Sequence, residues 1–276
     1  MKLQFSAIIC LLVATEANAQ YYYKDIIATR NTATQFQKFK EQKVRSVTLK
    51  SFESDGSITE GFRGSQSINA NFTTQVTNIE SSINGSSQLT TSFNTAGLPM
   101  KTVDTTDGAG SVSDYTYNDK GQLESINNVA SSPGPHTETE EHLWYYDDTG
   151  KPNKMLRIKN TSDTTFFNFV YDEKGNVGEE DSKRNGIGLP TIYYYYDGQN
   201  RLTDIVNYNR KAARLLPAYV FEYTDKGLMN SMLVVPEGSS DYQRWQYTYN
   251  DAGLKTKETC LNKHKQIVGR IEYVYQ

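Results

Sequence analysis

Tyr247-Thr-Tyr-Asn-Asp-Ala-Gly253 sets the frame in which the rest of this chain is read. The frame recurs upstream as Phe221-Glu-Tyr-Thr-Asp-Lys-Gly227, Phe169-Val-Tyr-Asp-Glu-Lys-Gly175 and Tyr115-Thr-Tyr-Asn-Asp-Lys-Gly121. Two variants keep it, Trp144-Tyr-Tyr-Asp-Asp-Thr-Gly150 and Tyr194-Tyr-Tyr-Asp-Gly-Gln-Asn200, and Tyr273-Val-Tyr275 begins another copy. The Gly position falls at 121, 150, 175, 200, 227 and 253. A fixed period of this length marks a repeat architecture.

Aromatic-x-aromatic spacing puts both rings on one face of a strand. Four residues after the second ring, Gly closes a turn rich in Asn, Asp and Lys, which predicts a short hairpin loop with a bulge. Gly takes positive φ freely, and Asn, which stands at position 200, tolerates it. A second strand leaves the turn with Leu123, Val177, Leu202 or Met229. One hairpin with a single apolar face is unstable alone, so neighbouring copies are expected to share an aromatic ladder.

The frame resembles the tyrosine-aspartate (YD) repeat of the Rhs and teneurin families, which runs Tyr-Asp-x-x-Gly-Arg-Leu. Its nearest copy here is Tyr196-Asp197-Gly-Gln-Asn200-Arg201-Leu202, and the resemblance covers roughly residues 88–276. In large family members such repeats wind into a β-sheet shell around a toxin or other cargo. This chain is similar to the small secreted YD-repeat proteins of Bacteroidetes type, a resemblance that implies a fold and supplies no activity. The expected architecture is mainly β: an antiparallel sheet of stacked hairpins forming an open, curved solenoid or partial shell, with a short N-terminal helical cap.

Met1-Lys2, the apolar run around Cys10 and Ala17-Asn18-Ala19 read as a signal peptide over residues 1–19. The implied destination is the periplasm, the outer cell surface or the extracellular medium. Removal of that peptide leaves Cys260 as the only cysteine, so no intrachain disulfide is expected. Residues 20–43 read as the cap segment, with a helix over about 31–43 that carries Phe36 and Phe39. Residues 44–276 read as the repeat domain. Lys and Arg (29) nearly balance Asp and Glu (32), and no basic stripe offers itself to nucleic acid.

The chain lacks a nucleophile elbow, a phosphate loop, a zinc helix and a dinucleotide fingerprint. His136, Glu138, Glu140 and His142 share one strand face, but the outer two stand about 20 Å apart when extended. No metal and no cofactor are expected. Turn chemistry explains the Asp-rich loops, which lack a calcium-loop pattern.

The middle copies also carry large groups of opposite parity, among them Leu143, Tyr145, Val170, Tyr193, Tyr195 and Val220. They mark either a second buried layer or an aromatic platform, with Tyr145, Tyr193 and Tyr195 as ligand-binding residues. The functional expectation is a non-enzymatic envelope or cell-surface structural or binding module. A polysaccharide or an envelope protein would be its partner, or a second copy meeting the open end at Tyr273 and Tyr275. The alternative is a carbohydrate-active enzyme using a carboxylate pair.

Overall fold

Each copy of the frame folds as a hairpin whose tip is built by its own Asp or Asn, or by Thr224 in the copy at 221–227. A computed structural model describes residues 21–276 except 84, 107, 133–136, 210–211, 237–238 and 240. The expected signal peptide, with Cys10, lies outside the described residues. The Asp197 carboxylate accepts the backbone N–H of Gln199 and Arg201, and Asp147 and Asp172 bond their own loops in the same way. Asn118 does so as an amide. The closing residue has positive φ throughout, including Asn200 at 59°. Each hairpin carries a register shift immediately before the second aromatic, for example between Tyr195 and Tyr196.

Among the described residues one helix, α1 (Lys24–Glu41), precedes the strands. The first strands are β1 (Ser46–Glu53), β2 (Arg63–Ile68), β3 (Thr74–Ser81), β4 (Gly85–Phe93), β5 (Pro99–Thr106) and β6 (Ala109–Tyr117). Next come β7 (Leu123–Ser131), β8 (Thr137–Tyr146), β9 (Pro152–Lys159), β10 (Asp163–Tyr171), β11 (Val177–Arg184) and β12 (Ile187–Gly188). The remainder are β13 (Ile192–Tyr196), β14 (Leu202–Asn209), β15 (Arg214–Tyr223), β16 (Met229–Val234), β17 (Gln243–Tyr249), β18 (Lys255–Asn262) and β19 (Ile267–Tyr275).

The strands follow one another antiparallel, and β19 returns to pair with β1 from Val47↔Tyr275 to Glu53↔Gly269. The short β12 is an excursion, because β11 pairs directly with β13. The wall is therefore a closed barrel of 18 strands. This overturns the expected open solenoid or partial shell. It also removes the open end proposed for self-association, since Tyr273 and Tyr275 are paired with Leu49 and Val47. Closure satisfies the backbone groups that an edge would leave exposed.

A second ladder runs between repeats. The second ring of each copy donates its phenolic O–H to the first strand residue after the preceding turn. Tyr117 bonds Pro99 O, Tyr146 bonds Leu123 O, Tyr196 bonds Val177 O and Tyr223 bonds Leu202 O, at 2.7 to 2.9 Å. Tyr249 and Tyr275 continue it to Met229 O and Lys255 O, and Tyr171 bonds Pro152 O. Burial pushes all seven phenols above their ordinary pKa. The position after the turn Gly links tip to tip: Gln122 donates to Gly150 O, and Arg201 donates to Thr224 O while stacking over the Tyr223 ring.

The aromatic face points into the barrel, where the N-terminal segment meets it. Phe36 stacks on Phe93 with ring centroids 3.6 Å apart, and Phe39 packs in the same cluster as Val44, Val47, Leu49 and Ile271. Tyr22 and Ile26 join Trp144, Met155, Phe167, Phe169 and Tyr194 in a second cluster. The helix begins seven residues earlier than its expected start. Ile26-Ile27 has a weak helical propensity that contact with the barrel overrides. The helix ends as Lys43 takes φ 55° and Val44 N–H bonds Phe39 O.

Candidate functional site

A group of buried ionisable side chains gathers where the start of α1 meets β8, β9 and β11. Strand alternation sends Glu140, His142 and Trp144 inward from β8, and register places Arg157 of β9 opposite His142. The imidazole sits between two carboxylates, with Nδ1 2.6 Å from Asp25 Oδ2 and Nε2 2.8 Å from Glu140 Oε1. Arg157 Nη2 donates to Glu140 Oε2 at 2.5 Å, and the Trp144 indole N–H donates to Asp25 at 3.3 Å. Burial works against a charge on His142. The Asp25 charge and the bonds to Asp25 and Glu140 outweigh it and push the pKa up to about 9. Burial also opposes ionisation of Glu140, yet the hydrogen bonds from His142 and Arg157 bring it down to about 2. These four groups carry two positive and two negative charges in contact.

Glu180 of β11 is 1% exposed. Its carboxylate accepts the backbone N–H groups of Tyr22 and Tyr23 and the Tyr194 hydroxyl, at 2.7 to 3.0 Å. Burial raises its pKa to about 7 against the pull of those donors. Asp25 and Glu180 thus clamp the polypeptide on either side of Tyr23. Sequence reasoning put Glu140 and His142 on one strand face but missed Asp25, Arg157 and Glu180. A carboxylate at the otherwise ladder-like inward position 180 was the one available signal, and the partners that explain it lie about 157 residues away.

The expected binding residues lie on the opposite, outer face. Tyr145 and Tyr195 are 45% and 50% exposed, and Tyr193 is half-buried. The outer surface of a closed barrel is convex, and the N-terminal segment lies on its other side. Tyr193 and Tyr195 share β13, opposite Val206 and Asp204. Tyr145 stands across β9, β10 and β11, roughly 19 Å from them at about 4.8 Å per strand step. Phe166 and Val170 of β10, 49% and 46% exposed, lie between.

Of the four groups weighed for a metal, His136 lies outside the described residues, Glu138 pairs with Lys159, and Glu140 and His142 are engaged as above. No cluster suited to a metal ion occurs among the described residues. Cys260 is buried in the wall. No helix among the described residues is long and apolar enough to cross a membrane. The outer face carries charge within its strands, as in the row Lys50, Glu272, Lys257 and in the pair Lys101 and Asp114. A lipid-facing barrel wall presents an apolar band there instead.

No family model matches the chain, and no curated protein sequence does. Among solved structures, a TcdB2–TccC3–Cdc42 complex aligns at 14% identity over 78% of this chain, with a TM-score of 0.35. A Photorhabdus luminescens Tc holotoxin pore aligns at 12% identity over 78% of this chain, also at 0.35. This chain spans 12% of the length of each of those chains. A porin-like protein from Bacteroides uniformis aligns at 11% identity over 84% of this chain and 98% of its own, with a TM-score of 0.41.

Proposed function

We infer that this protein is a non-enzymatic β-barrel module of the cell envelope that binds an extended partner on its outer face. The observation that carries the reading is the division of the aromatic residues. The inner ladder is occupied by the chain's own residues 21–41, whereas Tyr145, Phe166, Val170 and Tyr195 stand about half exposed on one sector of the wall. Three inward carboxylates from which a glycosidase pair could be drawn are spent on clamping: Asp25 and Glu140 on His142, and Glu180 on two backbone N–H groups and a phenol. The spacing of Tyr145 from Tyr193 and Tyr195 suits a polymer better than a small molecule. Flat rings with polar tips beside Asp204 suit a polysaccharide.

The test is affinity electrophoresis of the purified chain through a panel of envelope and extracellular polysaccharides. Retardation by at least one polymer is expected, and the triple variant Tyr145→Ala, Tyr193→Ala, Tyr195→Ala is expected to run unretarded with an unchanged β-sheet circular dichroism spectrum. Equal retardation of the variant would move binding elsewhere, and no retardation by any polymer would sink the glycan reading.

A further inference from the structure

Two separate clusters hold residues 21–41 in the barrel. Phe36 and Phe39 are seated among apolar side chains at the C-terminal half of α1. Tyr22, Asp25 and Ile26 are seated beside the ionised cluster at its start. Between them Arg30, Asn31, Thr34 and Gln35 are exposed. The two halves of the segment are therefore held by different physics: apolar packing at one end, and packing that encloses a charged bridge at the other.

His142 is the centre of that bridge. Both ring nitrogens face carboxylate oxygens, 2.6 Å from Asp25 and 2.8 Å from Glu140. A carboxylate only accepts, so both nitrogens must carry hydrogen, which only the imidazolium does. The remaining neighbours are fixed: the Tyr22 ring lies edge-on to the imidazole with centroids 5.2 Å apart, and Arg157 is engaged by Glu140. The Trp144 N–H is on Asp25, and Glu180 holds Tyr22 and Tyr23 next door. Loss of the imidazole proton turns one ring nitrogen into an acceptor facing an acceptor. It also leaves two carboxylates against Arg157 alone in a buried site, where an unpaired charge is costly.

We propose that His142 is a releasable clasp: protonated, it locks residues 21–29 into the barrel, and deprotonated it frees them while Phe36 and Phe39 keep the rest of α1 in place. Release bares Trp144, Phe167, Phe169 and Tyr194 to the lumen, so the clasp controls access to an aromatic surface that the segment otherwise fills. Glu180 adds a second ionisation on the same stretch, and its effect is separable by mutation.

The experiment reads Trp144 in the full chain carrying Trp245→Phe, by acrylamide quenching of its fluorescence between pH 6 and pH 9.5. The quenching constant is expected to rise at least threefold across this range while the β-sheet circular dichroism spectrum stays constant. Asp25→Asn is expected to move the midpoint down by about one pH unit, and His142→Gln to give high quenching at every pH. Glu180→Gln is expected to leave the alkaline transition in place. Quenching that stays flat in the otherwise unaltered chain would overturn the clasp, whether or not the His142 and Asp25 variants fold. So would a transition that survives in a folded His142→Gln variant or disappears in Glu180→Gln.

Discussion

Tyr196 donates its phenolic hydrogen to Val177 O, 2.9 Å away and nineteen residues earlier. This bond explains why the second ring of the frame is Tyr in all seven copies while the first is Tyr, Phe or Trp. The first ring packs, and where it is polar it reaches an inward side chain, as Tyr194 does at Glu180 and Trp144 at Asp25. The second must also reach the strand of the preceding repeat, which ties each hairpin to its neighbour.

Replacing Tyr196 by Phe keeps the ring and deletes the donor. The expected loss is about 1 kcal/mol, with a carbonyl left underused. For a chain of this size that lowers the thermal midpoint by roughly 2–4 °C, measurable by calorimetry. The corresponding change at Phe221, Phe221→Tyr, gains no such bond, because Leu202 O of the preceding repeat already accepts from Tyr223.

Asn200 stands where the other five complete copies have Gly, at φ 59°. Asn200→Gly is expected to be close to neutral, losing the amide contact to Asn176 but relaxing the backbone. Asn200→Val is expected to cost about 1–3 kcal/mol, since a β-branched residue is strained at positive φ. Urea midpoints of the two variants check the difference.

Stability is expected to fall as pH rises through the neutral range. The folded-state pKa values of Glu180, about 7, and His142, about 9, both lie above their ordinary values. The folded chain therefore binds more protons than the unfolded chain from about pH 4.5 to 9, and stability declines across that window. Each shift is worth roughly 3 kcal/mol. Glu140, at about 2, acts in the opposite direction and removes stability as pH drops below about 4.5. Urea unfolding at pH 5, 7 and 9 should give its highest midpoint at pH 5, and Glu180→Gln should flatten the 5-to-7 limb alone.

Truncation after Gln266 removes β19 and opens the barrel at β1 and β18. Both new edges present unpaired backbone groups. The shortened chain is expected to associate at micromolar concentration while the full chain does not associate through these strands, as light scattering would show.

The hairpin frame, its bulge and the positive φ at the turn were legible because they depend on residues within about seven positions of one another. The inward aromatic face followed from period-2 spacing, and the helix followed from Phe36 and Phe39, though not its first turn. The clamp was not legible. Nothing near Asp25 announces His142, and nothing near Glu180 announces the Tyr22 and Tyr23 amides. The outward parity of Tyr145, Tyr193 and Tyr195 was readable, but whether another layer covered them was not.

The sequence by itself determined the repeated hairpin and the two faces of its strands, because local backbone sterics and alternation act within each copy. Tertiary structure alone decided that the array closes. Closure depends on the twist and stagger summed over 18 strands, which bring Tyr275 beside Val47, and no single repeat encodes that sum. The same closure turned one face into an interior, and there the charges on Asp25, His142, Glu140 and Arg157 acquired their partners.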